Sequence, residues 1–254
     1  MAEPNDPKGV PAERHEPSDR NPLALDRLAD MVARQVTDPV WQRINDGESR
    51  WPVTVVVAAA IAIQVALPPN VSLPSRWIIP TLEGAIVIGL VAANPRKINR
   101  VSTSLRVAAI GLIGLMSIAN GWAAVRLVRH LIHGTAGNAS TLLSTGAAIW
   151  LTNVIAFAMW YWELDRGGPA IRATGTTAPP DFLFPQWSDP RLAPDNWAPV
   201  FLDYFYVSFT NATAFSPTDV LPLSLWAKLM MMVQSGISLV TVGLVVARAV
   251  NVLK

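Results

Sequence analysis

Ser208 to Pro222 reads SFTNATAFSPTDVLP. It follows the aromatic, apolar run VFLDYFYVSF (Val200 to Phe209) and precedes a long apolar segment, Leu223 to Leu253. Its Ser, Thr, Asn and Pro content is wrong for a segment crossing lipid. Irregular polar backbone at membrane depth is tolerated only where protein buries it or where it lines a water-filled cavity. The apolar run before the elbow, Val200 to Ala212, is too short for a comfortable crossing of a hydrocarbon core about 30 Å thick, but it suits a re-entrant half-helix. Half-helix, polar elbow and full helix together have the general layout of a pore loop.

The rest of the chain sets this hairpin in a membrane. Of 254 residues, 51% are hydrophobic and only 15% charged, and the mean hydropathy is positive, which points away from a soluble globule. Spans are expected at Trp51 to Leu67, ending at LPPN where two prolines stop a helix; at Trp77 to Ala93; at Leu105 to Val125; at Leu142 to Trp162, ending in an aromatic WYW; and at Leu223 to Leu253. The fold class is therefore all-α, a polytopic membrane bundle of five spans plus a re-entrant or short-spanning pore-like helix.

Residues 1–22 are charged and Pro-rich, without the apolar core of a secretory signal, and read as a disordered tail. Within residues 23–50, Leu25, Leu28, Met31, Val32 and Val36 fall near one face of an amphipathic helix, lying either in the headgroup region or against the protein. Residues 51–163 are expected to form a four-helix transmembrane region, residues 164–199 a Pro-rich hydrophilic loop whose aromatics suggest packing on the membrane domain, and residues 200–254 the hairpin and last helix.

A net charge of +2 argues against nucleic acid as a partner, and the absence of cysteine excludes disulfides and thiolate chemistry. The histidines, His15, His130 and His133, are too few for an all-histidine metal site, and no cofactor is expected. There is no H-E-x-x-H, no nucleophile elbow and no pair of intramembrane acids at catalytic spacing, so no enzyme is expected. Ionisable groups in lipid are functional candidates by default, which singles out Glu83 and Asp203; each could bind a cation or proton, or pair structurally. Gln64, Asn120, Asn153 and Gln234 are expected to hydrogen-bond between helices, and Met230 to Met232 to pack adaptably.

Tyr206 to Val252 resembles the pore loop and inner helix of the two-helix potassium channel superfamily, in which an aromatic pore helix leads into Thr-Val-Gly-Tyr-Gly-Asp and an apolar helix follows. Laid on that pattern without gaps, Thr213 falls on the Thr before the filter, Ala214, Phe215, Ser216, Pro217 and Thr218 on the filter, and Asp219 on the acid after it. The likeness covers under a quarter of the chain. The upstream spans resemble bacterial multi-pass membrane proteins only in general pattern and carry no repeated-arginine voltage sensor. Ser216 and Thr218 replace both filter glycines, whose freedom at positive φ stacks the carbonyls, so potassium selectivity is not carried over. The resemblance implies cation permeation by a homo-oligomer, a tetramer by analogy, in the bacterial inner membrane with lipid as its other partner. The alternative is a non-conducting scaffold that retains the hairpin, Asp219 and its neighbours capping the last helix.

Orientation poses a conflict. The basic run NPRKINR favours a cytoplasmic N-terminus, whereas five spans and a potassium-channel-like loop entering from outside require the reverse. A sixth crossing by Val200 to Ala214, a loop entering from the cytoplasm, or a charge count misled by Arg126 and Arg129 would each resolve it.

Overall fold

The computed structural model describes residues 40–133, 138–189, 197–213 and 219–252. The expected tail, the amphipathic helix Leu23 to Thr37 and filter positions Ala214, Phe215, Ser216, Pro217 and Thr218 lie outside the described residues. From residue 40 to the first long helix the chain holds a short 3-10 helix, Val40–Gln42, and a short strand, β1 (Glu48–Ser49), instead of a continuous amphipathic helix.

Proline and local capping set the helix limits. Helix α1 (Trp51–Ala66) carries Pro52 in its first turn, where the missing amide costs nothing, and stops before Pro68 and Pro69. Helix α2 (Ile78–Ala93) ends at Asn94, just before Pro95, a residue that disfavours helix on its N-terminal side. Strand β2 (Lys97–Ile98) pairs antiparallel with β1, joining the start of α1 to the end of α2. Helix α3 (Thr103–Ile132) runs past the expected stop at Val125. Its last turns are held because Arg126 Nε donates to Asn70 O at 3.1 Å and the His130 ring lies 3.2 Å from the same carbonyl. Helix α4 (Ala139–Leu164) is capped by Asn138, whose side chain accepts from the Thr141 amide at 2.8 Å.

Residues 164–199 are not the plain loop expected. They hold a 3-10 turn (Asp165–Gly167), helix α5 (Pro169–Ala173), strand β3 (Phe182–Leu183) and helix α6 (Pro185–Ser188). Helix α7 (Phe201–Thr213) covers the apolar segment Val200 to Ala212 to within a residue at each end. Strand β4 (Leu221–Pro222) pairs with β3, and α8 (Leu225–Val252) closes the described chain.

Three helices, α3, α4 and α8, are long and apolar enough to cross a membrane. In α4 67% of the apolar window is buried, against 33% and 22% in α3 and α8, which makes α4 the central helix. It packs against α8, α7, α3 and α1. Helices α3 and α8 turn apolar side chains such as Ile118, Val125, Leu229, Met232 and Leu239 outward, as a lipid-facing surface requires. With 16 residues each, α1 and α2 are about 24 Å long, shorter than the hydrocarbon core.

Helices α1 to α4 alternate in direction and so define two ends. One end gathers β1, β2, the start of α3 and the end of α4, since the Trp162 indole donates to Glu48 Oε2 at 2.7 Å. The other gathers Asn70, Arg126 and His130.

Candidate functional site

Helix α7 begins at the first end, where the Phe201 amide donates to Glu48 Oε1. Asp203 caps this start by accepting from the Val200 amide at 2.8 Å. A run of buried polar contacts then ties α7 between α4 and α8. Gln234 of α8 is fully buried. Its Nε2 donates to Ser208 O at 2.9 Å and Ser208 Oγ at 2.7 Å; its Oε1 accepts from Tyr161 Oη at 2.6 Å and Asn211 Nδ2 at 2.8 Å. Ser208 Oγ donates in turn to Val154 O at 2.7 Å, and Ser235 Oγ reaches Asn211 Oδ1 at 3.0 Å. Buried polar groups must be satisfied within the protein, and these bonds fix the rotation of α7. One turn deeper, Asn153 of α4 donates to Ser238 of α8 at 3.1 Å.

At Thr213 the chain lies beside the middle of α4, where the Trp150 indole points at Ala212 O. By Leu221 it is back at the first end: Leu221 pairs with Leu183, the Leu223 amide donates to Asp181 O at 2.8 Å, and the Trp226 indole donates to Asp181 Oδ1 at 2.7 Å.

Buried charge caps this end. Asp165 is fully buried; it accepts from Tyr204 Oη of α7 and from the Asp181 amide at 2.9 Å, and its Oδ2 lies 3.6 Å from Arg166 Nε. Arg166 has φ +49°, a left-handed conformation costly for a residue with a Cβ. Three contacts hold it there: its Nη1 donates to Trp41 O at 2.7 Å, its amide donates to Asp181 Oδ2 at 3.1 Å, and its guanidinium sits 4.8 Å from the Trp187 ring centre. Gly167 and Gly168, with φ of +84° and +99°, complete the reversal without strain. Arg172 donates to the Trp162 and Asp165 carbonyls at 2.6 and 2.9 Å and lies over the Tyr204 ring. Burial pushes the Glu48 carboxyl above its ordinary 4.5, against the opposing pull of the Phe201 amide, the Trp162 indole and Arg172. Burial likewise lowers Arg50, opposed by Glu163.

Of the residues singled out by sequence, Thr213 ends α7 and donates to Thr210 O at 2.8 Å, while Asp219 is exposed. Glu83 is fully buried in α2 and accepts from Gln64 Nε2 of α1 at 3.3 Å; its second oxygen has no hydrogen-bond partner among the described residues. Glu83 is thus tied to α1, apart from the hairpin, and Asp203 serves the cap of α7. Gln64, Asn153 and Gln234 do bond between helices; Asn120 Oδ1 finds no partner among the described residues. No group of three or more His, Cys, Asp or Glu able to hold a metal occurs among the described residues.

Sequence reasoning missed Glu48, Asp165, Arg166, Arg172 and Asp181. The aromatic residues in 164–199 pointed to a loop that packs, but nothing in the sequence singled out these charged side chains within it. No family model, no curated protein and no solved structure matches this chain.

Proposed function

We propose that the protein is a five-span inner-membrane protein, the apolar runs Trp51 to Leu67 and Trp77 to Ala93 crossing at the short limit of roughly 17 residues, whose C-terminal hairpin is a re-entrant, channel-like module that passes cations in a homo-oligomer. The observation that carries this reading is that α7 starts at one end of the bundle, stops beside the middle of α4, and is followed by a chain already back at the starting end by Leu221. A 13-residue helix of about 20 Å cannot span the bilayer, and the polar bed under it is what a half-helix at membrane depth requires. The basic residues Arg43, Arg50, Arg96, Lys97, Arg100 and Arg106 lie at that same end, against Arg76, Arg126 and Arg129 at the other. By the retention of Lys and Arg in the cytoplasm, the hairpin enters from the cytoplasmic side, and the conflict over orientation resolves as an inverted pore loop.

One observation favours a non-conducting scaffold instead: Ser208 and Asn211 are spent on contacts within the chain. Reconstitution separates the two. Cation flux into liposomes carrying purified protein, reduced by Asp219→Asn, supports permeation; protein that inserts and assembles without flux supports the scaffold. Thr176→Cys in the long loop should label with an impermeant maleimide only after lysis, and labelling of intact cells would overturn the inverted orientation.

A further inference from the structure

Between the basic ends of α1, α2, α3 and α4 lies a cavity of about 180 Å³. Its deep wall is apolar, formed by Val57, Leu90, Leu105, Ala109, Leu112 and Met159. Its mouth carries Arg50, Arg100 and Arg106 opposite a single acid, Glu163. The count of these charges, three positive and one negative, leaves the mouth cationic.

The arginines are not used up by the protein. The Nε atoms of Arg50 and Arg106 are buried and have no hydrogen-bond partner among the described residues. Neither guanidinium is in an ion pair among the described residues, whose pairs are Lys97 with Asp46 and Arg166 with Asp165. Glu163 is only 4% exposed and feels Arg172, Arg106 and Arg50 at a distance, while Arg172 is already committed to two carbonyls. A buried donor without an acceptor carries its full desolvation cost, which an acceptor brought by a ligand would relieve. Ser102 at the same mouth makes no side-chain cap for α3, so the helix's free amides add to the positive field.

The shape narrows the ligand class. The cavity is smaller than the roughly 300–1,000 Å³ of a site that engulfs a whole small molecule, so it takes part of one. An apolar hollow reaching two turns along α1, closed at headgroup level by unpaired guanidinium donors, fits a headgroup and the first part of a chain, the remainder staying in the bilayer. We propose that this cavity binds an acyl lipid through its anionic headgroup, phosphate or carboxylate, with the head on Arg50 and Arg106 and the proximal chain against Ala109 and Leu112. Basic pockets between membrane helices recognise acidic lipids by this same combination. The site is separate from the C-terminal hairpin and does not depend on whether the hairpin conducts.

The test is native mass spectrometry of the full chain in neutral detergent, titrated with dioctanoyl phosphatidylglycerol, decanoate, dioctanoyl phosphatidylcholine or inorganic phosphate. Phosphatidylglycerol should bind more tightly than phosphatidylcholine. Arg50→Gln with Arg106→Gln should weaken it about tenfold or more, the loss of at least one charge-assisted bond, whereas Lys at both positions should keep most of the affinity. Ala109→Phe fills the apolar part and should weaken binding to a similar degree; it decides the matter if the double Gln variant fails to fold. Decanoate binding with the same sensitivity would identify a fatty carboxylate as the source of the headgroup. Inorganic phosphate binding as tightly as the lipid, or phosphatidylglycerol binding untouched by Ala109→Phe, would overturn the proposal.

Discussion

Gln234→Leu tests the internal seat of α7 most directly. The substitution nearly conserves volume, so its cost reports hydrogen bonds more than a cavity. It removes the bonds from Gln234 to Ser208 O, Ser208 Oγ, Tyr161 Oη and Asn211 Nδ2. Asn211 Nδ2 keeps Met231 O at 3.0 Å and Ser208 Oγ keeps Val154 O at 2.7 Å, so each retains a partner. Tyr161 Oη, fully buried, loses the partner it donates to. Three replaceable interhelical bonds in a membrane are worth about 0.6 kcal/mol each. One orphaned buried hydroxyl adds about 1–3 kcal/mol. The expected loss is therefore about 3–5 kcal/mol, read as a shift in the SDS or thermal unfolding of the detergent-solubilised full chain. A double-mutant cycle isolates the orphan: Tyr161→Phe should destabilise the wild type but recover about 1–3 kcal/mol in the Gln234→Leu background, where the hydroxyl has already lost the acceptor of its proton. A Gln234→Leu cost below about 1 kcal/mol, or no recovery on adding Tyr161→Phe, would refute the view that this network holds α7 in place.

At the capped end, Glu48 has a folded pKa raised above its ordinary 4.5, so its contribution is complete below that value and is lost as pH rises through the folded pKa. Glu48→Gln should flatten this decline in a plot of melting temperature against pH, and an unchanged slope would assign the decline to another group. Asp165→Asn breaks a buried pair and should cost about 3–5 kcal/mol in the same unfolding assay, with Tyr204→Phe costing less because the ion pair survives. Gly146→Ala places a Cβ 2.7 Å from Val245 Cγ2 across the α4–α8 contact. A loss of about 1–3 kcal/mol is expected, largely restored by Val245→Ala; additive losses would show that the two helices do not meet at this pair.

The apolar runs alone determined α1, α2, α7 and α8 to within about two residues, because continuous hydrophobic length favours a helix and proline ends it locally. The same runs located the core of α3 but not its last turns, which persist because Asn70 accepts from Arg126. That Gln64, Asn153 and Gln234 bond between helices was also legible, since a polar side chain in an apolar helix has few other options. The charged cap was not legible. Glu48 meets Trp162 across 114 residues and Phe201 across 153, pairings that no periodicity encodes. The aromatics of segment 164–199 pointed to a loop that packs, but not to which of its charges, Asp165, Arg166, Arg172 and Asp181, it buries. Tertiary structure buries Asp165, Arg166 and Arg172 because each finds a fixed partner there: a carbonyl, an indole or an opposite charge outweighs the loss of water only when the whole set is assembled. Local hydrophobic pattern thus selected which segments enter the apolar phase, and long-range pairing alone decided which charges could follow them in.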